Sequence, residues 1–159
     1  MFVRKLLAAF WGILIVAPAL ADVPQPVVIQ SQTVFPTTGT GATSEGTFTA
    51  TAPLCTSGTH QSLRLVANPS RSHGWTVDAE YTCDDNSGTF LIQYHPQAGS
   101  NYAGGTPNSD FTLTGPWSIL RGTGRYATLT GHGDFGVVIN FSTTPVTAVE
   151  TFVGFVQLK

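Results

Sequence analysis

The side chains able to do chemistry here are His60, His73, His95 and His132, the acids Asp78, Glu80, Asp84, Asp85, Asp110, Asp134 and Glu150, and the cysteines Cys55 and Cys83. They are spread along the chain without the spacings that known chemistries need. No G-x-S-x-G elbow and no H-E-x-x-H occurs, and a Ser/His/acid triad is a matter of geometry that any secreted threonine-rich β protein could match by composition alone. His132 and Asp134 lie two apart, a spacing that could pair a base with its orienter or contribute to a metal site. Phe135, Val137 and Ile139 claim the inner face of the same run, so Asp134 is expected to face solvent. The run Asp84-Asp85-Asn86-Ser87-Gly88 offers hard oxygen ligands, but lacks the full calcium-loop pattern and has the composition of a hairpin turn. No catalytic residue, metal site or cofactor is expected.

Five aromatic residues, Trp75, Tyr81, Tyr94, Trp117 and Tyr126, form the other candidate group. Turned inward, they either line a pocket for one small apolar ligand or fill the interior solid; both readings stay open.

The elements that would position these groups are strands. Met1–Ala21 has Arg4 and Lys5, an apolar run and a Pro18-Ala19-Leu20-Ala21 end, the layout of a secretory signal peptide. It is shorter than a membrane span and broken by Pro18. Cleavage would leave a chain starting at Asp22, enough for one domain with a real core. Loss of Arg4 and Lys5 leaves 5 of the 7 basic residues against 9 acidic ones. The remaining basic residues are scattered, which disfavours nucleic acid as a partner. In an oxidising compartment Cys55 and Cys83 are expected to form one disulfide, worth ~3–4 kcal/mol by loop closure. A zinc site drawing on Cys55 and His60 would lack ligands and the close spacings such sites use.

Residues 22–45 read as an extended lead-in or edge strand, because three prolines lie around V-V-I-Q-S-Q-T-V; the barrel domain is then expected over 46–159. Phe48, Ala50 and Ala52 alternate with threonines. Leu63 and Leu65 are expected inward with Arg64 outward. Trp75, Val77, Ala79, Tyr81 and Cys83 share one face of the cleanest strand. Pro96–Ser109, with Tyr102 near its middle, is a long polar loop and a candidate lid or contact surface. The C-terminal T-A-V-E-T-F-V-G-F-V-Q-L reads as a strand buried on both faces. Strands recurring about every ten residues between Gly, Pro, Asn and Thr are the signature of an all-β barrel or sandwich.

The densest signal is Trp117–Phe135. Gly122 and Gly124 flank Thr123 as a tight reversal, and Tyr126 and Leu129 are placed for one helical turn that buries both as a plug. Gly131 is expected to end that turn in the left-handed region, and Gly133 to open a strand. The glycine spacing does not suit a phosphate loop. Trp117, Gly122, Thr123, Gly124, Tyr126, Leu129, Gly131 and Gly133 resemble the glycine-rich hairpin of the allene oxide cyclase/dirigent barrel superfamily, especially its small secreted bacterial members. The resemblance implies a single antiparallel β-barrel of about eight strands with an apolar interior, and tips a choice between barrel and sandwich that the strand pattern leaves even. Known activities in that superfamily are cyclisation and the guiding of radical coupling. The expectation is a secreted or periplasmic small barrel that binds a small apolar molecule or a cell-surface partner without catalysis. The alternatives are a cyclase- or isomerase-like enzyme acting on a small hydrophobic substrate, and an envelope or matrix component.

Overall fold

A computed structural model describes residues 23–36, 43–68, 74–97 and 111–159. Eight strands follow in chain order: β1 (Gln25–Phe35), β2 (Glu45–Ala50), β3 (Ser57–Asn68), β4 (Gly74–Cys83), β5 (Thr89–Tyr94), β6 (Phe111–Gly122), β7 (Thr130–Asn140) and β8 (Val146–Gln157). Each pairs antiparallel with its sequence neighbour, and β8 pairs with β1 to close the barrel. The fold is all-β, and closure leaves no edge strand exposed. The expected leader, most of the Thr37–Glu45 turn and most of the Pro96–Ser109 loop lie outside the described residues.

The closing strand corrects the reading of 22–45 as a lead-in. β1 is paired along both sides, with β2 and with β8, and Val27, Ile29, Ser31 and Thr33 are buried in strict alternation. Its prolines fall at the strand start (Pro26) and just past its end (Pro36), where a missing N–H costs little. Two further expectations change. Leu63 stands outside, 48% exposed, because the register with β4 shifts between Ser62 and Arg64, while Leu65 returns opposite Val77 at the rim. β8 buries one face only: Ala148, Glu150, Phe152 and Val156 go in, whereas Val149, Val153 and Phe155 are about half exposed. A barrel wall has a single inside, so apolar side chains on both faces of a strand do not imply two buried faces.

The β4–β5 turn is a hairpin: Asn86 sits at φ 58° and the Ser87 N–H donates to Asp85 Oδ1. At the β6–β7 reversal Gly124 takes φ 57° and opens a single 3₁₀ turn, Gly124–Tyr126. The Leu129 N–H donates to the Tyr126 carbonyl, and both side chains are buried. The plug is therefore as expected, but Gly131 is not its left-handed stop. It is already inside β7, where a Cβ would collide with Val156 and with Phe155 of β8. Gly133 and Gly154 face each other across β7 and β8. A Cβ on either would strike the Trp117 indole at 2.8 Å. The bare backbone lets that ring lie against the wall, its Nε1 donating to the carbonyls of Asp134 (3.1 Å) and Val153 (3.2 Å).

Candidate functional site

The interior divides along the barrel axis. The end that holds the β2–β3, β4–β5 and β6–β7 connections is filled. The disulfide Cys55–Cys83 lies there, with Leu54, Tyr126 and Leu129. Above them the rings interlock: Tyr81 stacks on Phe90 with centroids 5.2 Å apart, Phe48 meets both edge-on, and Phe152 touches Tyr81, Tyr94, Trp117 and Phe135. Edge-to-face and offset contacts of this kind each add about 0.5–1.5 kcal/mol beyond area burial.

The opposite end holds a pocket of about 290 Å³. Phe35 of β1, Leu65 of β3, Trp75 and Val77 of β4, Tyr94 of β5, Leu113 of β6, and Val137 and Ile139 of β7 supply most of its lining. Pro96 and Phe141 stand at the strand ends, and Ser44, Ser62 and Glu150 are its polar members. The five aromatic candidates thus separate. Trp75 and Tyr94 line the pocket, whereas Tyr81, Trp117 and Tyr126 belong to the packed interior.

Glu150 is buried on β8, directly opposite Ser31 of β1 and Val137 of β7. The Tyr94 hydroxyl donates to Glu150 Oε1 at 3.3 Å, while Oε2 has no hydrogen-bond partner among the described residues. Burial pushes the carboxyl up to about 7, against the opposing pull of hydrogen bonds from Tyr94 and Thr33. The Thr33 hydroxyl also meets His60 Nε2 at 3.3 Å, and the His60 ring stacks on Tyr81. Burial lowers the His60 pKa, so the ring is neutral near pH 7, and its Nδ1 too lacks a partner. Ser62 shares a 2.6 Å hydroxyl contact with Ser44. Burial and then the nearby Glu150 charge raise the Tyr81 and Tyr94 phenols well above 10, which keeps both protonated.

A carboxyl that titrates near neutrality in an apolar pocket, with one oxygen free, can accept from or donate to a ligand's polar group. His60 and Glu150 were each in view in the sequence as isolated residues. What brings them together is strand phase: Glu150 is in step with Ala148 and Phe152, Thr33 with Val27 and Ile29, and His60 with Ser62. Both His132 and Asp134 are exposed on the outer face of β7. His95 is half-buried at the mouth, bonded to Thr76. Among the described residues no three metal-ligating side chains come together, and both cysteines are in the disulfide. No helix among them is long and apolar enough to cross a membrane. Comparison with protein-family models, with curated proteins and with solved structures finds no match in any of the three.

Proposed function

We propose that this protein is an exported barrel that binds a small, largely apolar molecule in its mouth. The observation that carries the reading is the pocket itself: an apolar-lined space of about 290 Å³ with the hydrogen-bonded Tyr94 and Glu150, and the Ser44–Ser62 pair, in its wall. Export is supported by the Arg4/Lys5 leader with its small-residue end at Ala21 and by the disulfide, which persists in oxidising compartments. The closed eight-stranded barrel is the architecture that the resemblance to the allene oxide cyclase/dirigent superfamily implies. Titration with apolar alcohols of graded size, followed by calorimetry, tests the reading. Saturable one-site binding that disappears in Leu65→Trp, a change that fills the pocket from its rim, is the expected result. Absence of saturable binding across the series would remove it.

A second reading follows from Glu150 alone. A carboxyl poised near pH 7 beside a phenol is equipped for general acid–base work on an enolisable apolar substrate. Double-bond migration in a small β,γ-unsaturated ketone, followed by the rise in conjugated absorbance, tests it; turnover equal to that of Glu150→Gln would exclude it.

A further inference from the structure

We propose that the ligand is a lipophilic amine, with its hydrocarbon body in the pocket and its ammonium group against the Glu150 carboxylate. This rests on the apolar-ligand reading above and adds the chemistry of the ligand's polar end. Among the described lining residues Glu150 is the one carboxyl, and no Lys, Arg or His joins it. A ligand carboxylate or phosphate would meet an acid with no cation to offset it, at the full cost of an unpaired buried charge. An ammonium reverses that sign: it supplies three donors, enough for the unpartnered Oε2 and more.

The groups around the carboxyl reinforce the point. Thr33 and Ser31 approach from β1, His60 and Ser62 from β3, Tyr81 from β4, Tyr94 from β5, and Val137 from β7. None carries positive charge at pH 7–8, because burial holds His60 neutral. Among the described residues nothing balances the carboxylate's charge, and a cationic ligand would. Phe35, Trp75, Tyr94 and Phe141 contribute four aromatic rings to the same lining, and ring faces attract cations in desolvated sites.

The test compares three compounds with one ring skeleton, cyclohexylmethylamine, cyclohexylmethanol and cyclohexanecarboxylate, titrated into the disulfide-bonded protein at pH 8. The amine is expected to bind at least tenfold tighter than the alcohol, and the carboxylate weakest. Below about pH 7 the amine's affinity should fall about tenfold per pH unit as protons compete for the carboxyl, while the alcohol's stays nearly level. Glu150→Gln should erase both the amine's margin over the alcohol and its pH slope. An alcohol that binds as tightly as the amine, or a margin that survives in Glu150→Gln, overturns the amine and leaves the pocket reading standing. If no compound of the series binds, the pocket reading falls and the amine with it.

Discussion

The two ends of this barrel use the same strands in opposite ways. At the sealed end the inward positions are large and apolar, Tyr81, Phe90, Tyr126, Phe152 and Val156, and are capped by a disulfide and a 3₁₀ plug. Between that end and the mouth the strands place Ser31, Thr33, His60, Ser62 and Glu150 inside, a polar layer in which His60 Nδ1 and Glu150 Oε2 have no partner among the described residues, below a pocket that side chains do not fill. Stability is concentrated where nothing is left to bind. Open volume and the buried Glu150 carboxyl, each costly in a core, meet at the mouth. The contrast is breakable, since each end should answer differently to substitution.

The largest effect is expected from Tyr126→Ala, which removes the plug's fully buried ring and its contact with Phe90. Loss of a large core aromatic costs about 3–5 kcal/mol, read as a shift in the denaturant midpoint. Affinity of the remaining folded protein for a pocket ligand should be unchanged. Next, replacing both Cys55 and Cys83 with alanine opens a loop between residues 28 apart in sequence. By the chain-entropy model this costs about 3–4 kcal/mol, again with pocket affinity intact. Ligand binding that weakens along with stability in either variant would show that the ends are one cooperative unit and not two regimes.

How far the sequence reveals this division depends on the end. The hairpin at Asp84–Gly88, the Tyr126/Leu129 plug and the inward face of β4 all follow from local rules, turn composition and period two, that act over a few residues. β1 was harder to read, because its partner is the far end of the chain and its prolines resemble those of a linker. The polar cluster was hidden for a different reason. Glu150 sits among Val149, Thr151 and Val153, and only knowing which face of β8 is inside separates the buried carboxyl from the exposed valines. Leu63 shows the same limit at one residue: a bulge reverses its face without a local signature.

Glu150→Gln should act at the mouth with the opposite sign. The folded carboxyl titrates at about 7 instead of 4.5, so between these pH values the native state binds more protons than the unfolded state, and stability falls as pH rises through that window. The loss at pH 8 relative to pH 4.5 is on the order of 3 kcal/mol, and glutamine should abolish it, making the variant more stable than the parent at pH 8. His60 works the other way. Its lowered pKa means that stability is lost as pH falls below 6.5, so the two groups oppose each other in mildly acidic solution. Thermal melts of parent and variant at pH 5 and pH 8 separate the contributions. A variant less stable than the parent at pH 8 would mean that the buried carboxyl is a structural asset and that the mouth is not held at a cost.

The smallest stability effect is expected from Trp75→Ala. The ring is half-buried at the rim and packs on the core from above, and it lines the pocket. A fully buried tryptophan would cost about 3–5 kcal/mol on truncation; a rim ring whose one side faces open volume has fewer contacts to lose, and about 1 kcal/mol is expected here. Its ligand contacts should suffer far more, with affinity for a pocket ligand falling at least tenfold, about 1.4 kcal/mol. The two numbers, from a denaturant titration and a binding titration on the same preparation, place Trp75 on one side of the division. A large stability loss with unchanged affinity would assign the ring to the core and move the boundary between the two ends above β4. The expected pattern, small loss and weakened binding, locates that boundary between Trp75 and Tyr81 on one strand, six residues apart, with Val77 and Ala79 between them facing the same interior.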